Sequence, residues 1–243
     1  MSGISILRYH QIGHEKPIRD HWAHYCTARQ FSRQMALLAY SRCQVLRLSE
    51  AVAALRGQCP IPPRAVVLSF DGAYTDFISQ VLPVLRRYRF PAIVYTISGW
   101  LGQRMRVPDS YQPRPWIMEA RALRLLRHEG IEIGSQTLNH VQLPILTPHQ
   151  QAEELRISRE VLEQILGEPV THLCYPFGEL SPHTVELAQE AGYQTAVTRR
   201  YGQARSDDNL LLLPRKMIHF DDSVFGFGAK LFLKHHATKP QAV

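Results

Sequence analysis

Two kinds of segment alternate along this chain, and the alternation constrains its fold more than any single residue does. Short β-branched and apolar runs recur: ISILRYH at 4–10, AVVLSF at 65–70, AIVYTI within 91–97, IEIG at 131–134, THLCY at 171–175, YQTAVT at 193–198 and a last run near 211–218. Between them lie stretches with apolar residues at helical spacing, over 29–41, 75–88, 116–129, 148–166 and 182–191. A short strand and a small helix capped by Ser49 fit inside 43–56. Strands that are each followed by a helix pair in parallel through right-handed crossovers. About seven such units in one chain predict a closed barrel rather than an open sheet. A length of 243 residues suits a single α/β domain, placed at 1–223 with a basic tail over 224–243.

Composition narrows the function classes. A hydrophobic content of 45% is ample for one sizeable core and excludes a disordered chain. No run approaches the roughly 18 apolar residues of a transmembrane helix. The start, MSGISILRYHQIG, lacks the basic and apolar regions of a signal peptide, so cytoplasmic residence is the expectation. Cys26, Cys43, Cys59 and Cys174 form no CxxC pair and no zinc-finger spacing; they suit small hydrophobes in a reducing compartment. The net charge of +7 is dispersed, at Arg86, Arg87, Arg104, Arg106, Arg199, Arg200, Lys230 and Lys234. No basic groove interleaved with aromatics appears, so no nucleic-acid partner is expected. The basic surface is compatible with peripheral contact to an anionic membrane face.

In α/β barrels chemistry gathers at the C-terminal ends of the strands. Here those ends carry His10, Asp71, the segment GSQTLNH at 134–140, the turn YPFG at 175–178, and His219. An acidic residue directly after VVLSF has no packing reason to stand there. His149 and His183 fall at helix starts and His235 and His236 in the tail, where capping or solvation accounts for them.

These segments, taken together, resemble the polysaccharide deacetylase family (carbohydrate esterase family 4). The resemblance rests on VVLSFDGAYTDF, GIEIGSQTLNH, LCYPFGELSPHTVELAQEAGYQTAVT and LLPRKMIHFDDS, in that order, with RYHQIG similar to the YH-containing first strand of one branch. It covers roughly 4–223 and implies a distorted (β/α)7 barrel. In that family one aspartate and two histidines hold a divalent metal that activates water against an N-acetyl carbonyl, which implies an N-acetylated amino-sugar glycan, or a lipid-linked sugar, as partner. The family's first motif is Thr-Phe-Asp-Asp-Gly, its first aspartate the base and its second a metal ligand; its second motif, His-(Ser/Thr)-x-x-His, supplies both histidines. Carried across, Asp71 stands at the base, Gly72 at the metal-binding aspartate, Gln136 at the first histidine and His140 at the second.

Two of the three ligands are thus replaced, by a residue without a side chain and by a neutral amide. No tightly bound metal is expected, and the leading reading is an impaired enzyme that binds a glycan or a protein partner without turnover. Zinc, cobalt or nickel would bind only at a site rebuilt from His10, Asp71 and His140, with Asp76 in reach. A metal-free hydrolysis would use Asp71 as base and His219 as acid. Arg215 resembles an arginine of the family's LPR segment that would orient Asp71 by a charge-assisted bond. Gln136, Tyr175, Pro176, Phe177 and Trp116, with Trp100 and Tyr111, are the candidates to line a sugar cleft, although each aromatic also fits ordinary core packing.

Overall fold

The structure, a computed structural model, describes residues 3–13, 25–106, 114–220 and 222–232. Strand β1 (Ser5–Tyr9) is followed by β2 (Gln11–Gly13), β3 (Tyr25–Thr27), helix α1 (Ala28–Tyr40), β4 (Gln44–Val45) and α2 (Leu48–Leu55). The strand–helix units then run β5 (Ala65–Asp71), α3 (Leu82–Tyr88), β6 (Ile93–Thr96), α4 (Ala120–His128), β7 (Glu132–Ser135) and α5 (Pro148–Leu166). They finish with β8 (His172–Cys174), α6 (Pro182–Glu190), β9 (Thr195–Tyr201), β10 (Leu213–Met217) and α7 (Val224–Phe232).

Pairing is parallel throughout the main sheet, in the order β1-β10-β9-β8-β7-β6-β5-β4, and β1 also pairs with β5 from Ser5↔Val66 to Tyr9↔Phe70. That last pairing closes the ring. The short β4 lies outside it, sharing an edge of β5 with β6, so seven parallel strands form the barrel. The expected barrel is the one observed.

The period-two alternation of a strand sorts side chains into two populations. Leu7, Tyr9, Leu68, Phe70, Val94 and Ile133 point outward and pack with α1, α3 and α4 residues such as Phe31, Met35, Leu85 and Leu126. Ile4, Ile6, Val67, Ile93, Val197 and Leu213 fill the barrel's interior, together with the ring of Tyr95. Gly134 makes room for that ring, because a Cβ there would lie 2.5 Å from Tyr95 Cδ1. The same inward parity continues one step further along four strands and sets Arg8, Asp71, Cys174 and Arg215 at the barrel mouth.

Some boundaries differ from expectation for physical reasons. Ser49 lies inside the first turn of α2, whose cap position is Arg47. The Glu132 carboxylate of β7 accepts the Leu48 and Ser49 N–H groups at 2.6 and 3.1 Å, satisfying donors that a serine cap was expected to serve. The helix expected from 116 begins only at Ala120. Residues 116–118 are extended instead, because Thr75 and Met118 N–H groups bond Trp116 and Ala73 carbonyls at 2.9 Å each. Ahead of α3, Phe77–Val81 is a π-type turn; Pro83 follows it, with no N–H to donate back to Ser79. The small parallel pair β2–β3 was not expected.

The segment read as the start of a tail is helix α7, which buries Phe227 and Leu231 against the core that includes α1. Lys216, fully buried on β10, donates to the Lys230 carbonyl, and Lys230 Nζ donates to Met217 O at 2.9 Å and to Asp222 Oδ2 at 2.6 Å. Burial lowers the Lys216 ammonium to about 8. Residues 233–243, with His235 and His236, lie outside the described residues. Among the described residues no helix is long and apolar enough to cross a membrane.

Helix α7 is integral to the barrel on this account. Phe227→Ala should therefore cost about 3 kcal/mol of unfolding free energy, as a large-to-small core change does, seen as a lowered urea midpoint at unchanged slope. An unchanged midpoint would make the helix an appendage.

Candidate functional site

Asp71 is the last residue of β5 and is 3% exposed. Arg215, two strands away around the ring on β10, grips it in a two-pronged pair, Nη1 to Oδ1 at 2.6 Å and Nη2 to Oδ2 at 2.9 Å. The rest of the guanidinium is held by Thr198 O at 3.2 Å, Ser69 Oγ at 3.3 Å and Cys174 Sγ at 3.3 Å, and it lies 5.9 Å from the Tyr95 ring centre. Cys174 Sγ lies 3.6 Å and His10 Nε2 3.8 Å from Asp71 Oδ2. Burial alone would raise the Asp71 carboxyl, but the charge and hydrogen bonds of Arg215 outweigh it, and the net shift is well below the usual carboxylate range. Burial would likewise lower Arg215, and Asp71 reverses this to a net rise. The Cys174 thiol is pushed up to about 12, chiefly by burial and then by Asp71, so it is an inert thiol rather than a nucleophile.

Between β5 and β10 runs β1, and its Arg8 sits level with Ser69 and Met217. Arg8 is 5% exposed, and its Nε has no hydrogen-bond partner among the described residues. Burial, and then repulsion from Arg215, lower it to about 10.

Arg8, His10, Asp71 and Arg215 line the floor of a cavity of about 210 Å³. Gln136 and His140 stand along one wall, Tyr175, Phe177 and Arg199 along another, and Gly72, Tyr74 and Met105 complete it. Gln136 Oε1 and the Tyr175 hydroxyl are buried without a hydrogen-bond partner among the described residues. The His140 ring packs 4.7 Å from Phe177 and 6.1 Å from Trp100, and Phe177 is 44% exposed at the rim. Two larger depressions, of about 470 and 410 Å³, lie where β7 and β8 begin, at the other end of the barrel. Arg127 pairs there with Glu168 and Arg86 with Glu129.

Seven of the residues expected at a site therefore line one cavity: His10, Asp71, Gln136, His140, Tyr175, Phe177 and Arg215. Pro176, Trp116 and His219 do not line it. Pro176 is buried in the turn behind Tyr175. Trp116 is 48% exposed under the Arg104 guanidinium, and the His219 backbone N–H is held by Asp222 at 2.6 Å. Trp100 is buried, and Tyr111 lies outside the described residues. Sequence reasoning missed Arg8, Tyr74, Met105 and Arg199. Only Arg8 carried a signal: it shares the inward parity of Ile4, Ile6 and His10.

The cavity does not fit a divalent metal. Gly72 has φ +95°, and a Cβ there would lie 2.6 Å from the Tyr74 ring, so the ring fills the space an aspartate side chain would need. Ala73 follows at φ +51°, and the turn is pinned by the 116–118 segment. The rebuilt set of His10, Asp71 and His140 does not close either. Both Asp71 oxygens are committed to Arg215, His140 packs on Phe177, and Asp76 accepts the Ile12 N–H at 2.9 Å. No group of three His, Cys, Asp or Glu among the described residues could hold a metal ion.

Pairing with Arg215 gives Asp71 a definite pH signature. The lowered native pKa contributes stability in full above pH 4 or so, lost as pH falls further toward that value. Arg215→Met should cost about 3–5 kcal/mol at neutral pH, the cost of stranding a buried charge. Burial then raises the Asp71 pKa, so the variant should regain stability on acidification while the wild type loses it. Urea midpoints measured between about pH 8 and pH 3 would reveal opposite slopes; parallel curves would refute the pairing.

The profile of the polysaccharide deacetylase family matches residues 60–196 of this chain. The Bacillus subtilis protein YxkH is 27% identical over 226 residues, covering 93% of this chain and 75% of its own. The Escherichia coli K12 poly-β-1,6-N-acetyl-D-glucosamine N-deacetylase is 24% identical over 230 residues, covering 82% of this chain but 34% of the enzyme. Among solved structures, the Streptococcus pyogenes deacetylase PplD superposes with a TM-score of 0.82 at 22% identity, covering 95% of this chain and 98% of that one. A de-N-acetylase from Aggregatibacter actinomycetemcomitans gives 0.80 at 18% identity, over 94% and 100%.

Proposed function

Because the chain belongs to the polysaccharide deacetylase family, we propose that its barrel-mouth cavity binds an N-acetylated amino-sugar glycan without the family's metal-dependent hydrolysis. The single observation carrying the second half is the Gly72–Tyr74 turn. Where the family pattern has a metal-binding aspartate, this backbone adopts φ +95° and an aromatic ring occupies the side-chain space. Gln136 adds to it, since its amide oxygen is a weak ligand beside an imidazole nitrogen.

Hydrolysis of an N-acetyl group needs water to add to the carbonyl, a polarising group for the oxyanion, and a proton for the departing amine. Asp71 is ionised and oriented, so it can still accept a proton or a hydrogen bond from a ligand hydroxyl or amide. The missing part is the electrophile. A metal-free route through His219 is weakened by its absence from the cavity lining.

The binding half rests on groups left waiting. A buried amide oxygen and a buried phenol without partners are costly unless a ligand completes them. Gln136 Oε1 would accept from a hydroxyl or an acetamido N–H, the Tyr175 hydroxyl would serve either role, and Phe177 offers an apolar face at the rim for a pyranose ring. The E. coli relative, named for poly-β-1,6-N-acetyl-D-glucosamine, supports an amino-sugar glycan as the ligand class.

Elemental analysis of dialysed protein tests the reading. The wild type should carry far less than one equivalent of zinc, cobalt or nickel. Gly72→Asp/Gln136→His should stay poorly loaded and lose about 1–3 kcal/mol of stability through the strained turn. Adding Tyr74→Ala should let that variant fill. A wild-type equivalent of metal that survives dialysis and disappears in His140→Ala would overturn the proposal.

A further inference from the structure

The charge balance of the cavity runs opposite to that of a cation site. Arg8, Arg199 and Arg215 face it, and Asp71 is the one carboxylate among its lining residues. Asp71 and Arg215 neutralise each other through two short hydrogen bonds. Arg8 and Arg199 remain as surplus positive charge. Arg199 is exposed at the rim, with Nη1 bonded to Phe177 O at 3.1 Å. Arg8 is the unusual member, 5% exposed, with its Nε lacking a hydrogen-bond partner among the described residues.

Buried guanidinium groups are ordinarily paired, because an unpaired charge in a low-dielectric interior is expensive. Asp71 attracts Arg8 through space but makes no hydrogen bond to it, since its oxygens point to Arg215 and Cys174 and His10 lie against Oδ2. The planar fork of arginine matches a carboxylate or a phosphate better than any neutral group.

We propose that the ligand of this cavity is an acidic sugar, its carboxylate or phosphate held between Arg8 at the floor and Arg199 at the rim. The proposal rests on the glycan-binding reading above and names the chemical class of the glycan. Sugar rather than a bare anion follows from the other waiting groups, since Gln136 Oε1 and the Tyr175 hydroxyl are hydroxyl or amide partners and Phe177 is a ring-packing face. The volume of about 210 Å³ is below the roughly 300 Å³ where drug-sized pockets begin, so the cavity suits a small group such as a single sugar residue. Where a family site would hold a mobile cation, this chain has built a fixed one into β1.

Calorimetric titration decides it, with N-acetylmuramic acid, N-acetylglucosamine 6-phosphate, inorganic phosphate and neutral N-acetylglucosamine as probes. At least one acidic sugar should bind tenfold or more tighter than N-acetylglucosamine, and the preference should weaken as salt rises. Whichever acidic sugar binds tighter identifies carboxylate or phosphate. Arg8→Met should abolish the preference, Arg8→Lys should keep part of it, and Arg199→Ala should reduce it several-fold. Arg199 is exposed, so its variant reports even if Arg8→Met does not fold. N-acetylglucosamine binding as tightly as the acidic sugars, in wild type and in Arg199→Ala alike, would overturn the anion inference and leave glycan binding intact. Phosphate binding that depends on Arg8, with no sugar bound better than phosphate, would refute the acidic-sugar assignment and the glycan reading together. No binding of any probe would do the same.

Discussion

The buried pair of Asp71 and Arg215 organises the barrel mouth. It joins β5 to β10 across the intervening β1, and it does so between groups 3% exposed each. In such surroundings neither charge is tolerable without the other. The pair therefore fixes the direction in which the site carboxylate faces. Ser69, Cys174, Thr198 and the Tyr95 ring complete the guanidinium's surroundings. Removing charge from either partner would loosen the floor of the cavity before it altered any ligand contact.

The next constraint is backbone geometry rather than charge. Past Asp71 the chain turns through two residues of positive φ, Gly72 and Ala73. The turn is locked by hydrogen bonds from the 116–118 segment, and Tyr74 is delivered over Gly72 as a result. Gly72 is thus not an isolated feature of the site. Ring, turn and glycine form one packed unit, and restoring a ligand at Gly72 alone meets a filled space.

The fold was legible because its signal is periodic. Apolar runs of strand length alternate with helical spacing, and the barrel follows from pairing and crossover rules. Helix α5 has the limits its amphipathic spacing predicts, 148–166, and the structure shows Thr147 capping its start and Gly167 ending it. The start of α4 was misread because 116–118 obey a tertiary demand, pairing with the turn after Asp71, that no local pattern announces. Helix α7 was hidden for a related reason. Its sequence VFGFGAKLF carries two glycines, and it is held by Phe227, Leu231 and the Lys216–Lys230 exchange, all of which are long-range contacts. At the site, residues at strand ends were recoverable by position. Tyr74 and Arg199 were not, because their role comes from where the turn and the rim carry them.

Arg8 belongs between these cases, and it shows what inward parity is worth. On a strand reading ISILRYH, positions 4, 6 and 10 face the barrel interior, so an arginine at 8 must face it too. Sequence alone makes that residue an anomaly, and the structure turns it into a question about charge. A family that holds a divalent cation at this end of the barrel gathers carboxylate and imidazole there. This cavity has one carboxylate among its lining residues, Asp71, with the Arg8 and Arg215 guanidiniums beside it. One carboxylate against three guanidiniums shifts the cavity's potential toward anions. A buried guanidinium whose Nε lacks a partner among the described residues lowers stability, and an anionic group seated against Arg8 would offset that cost.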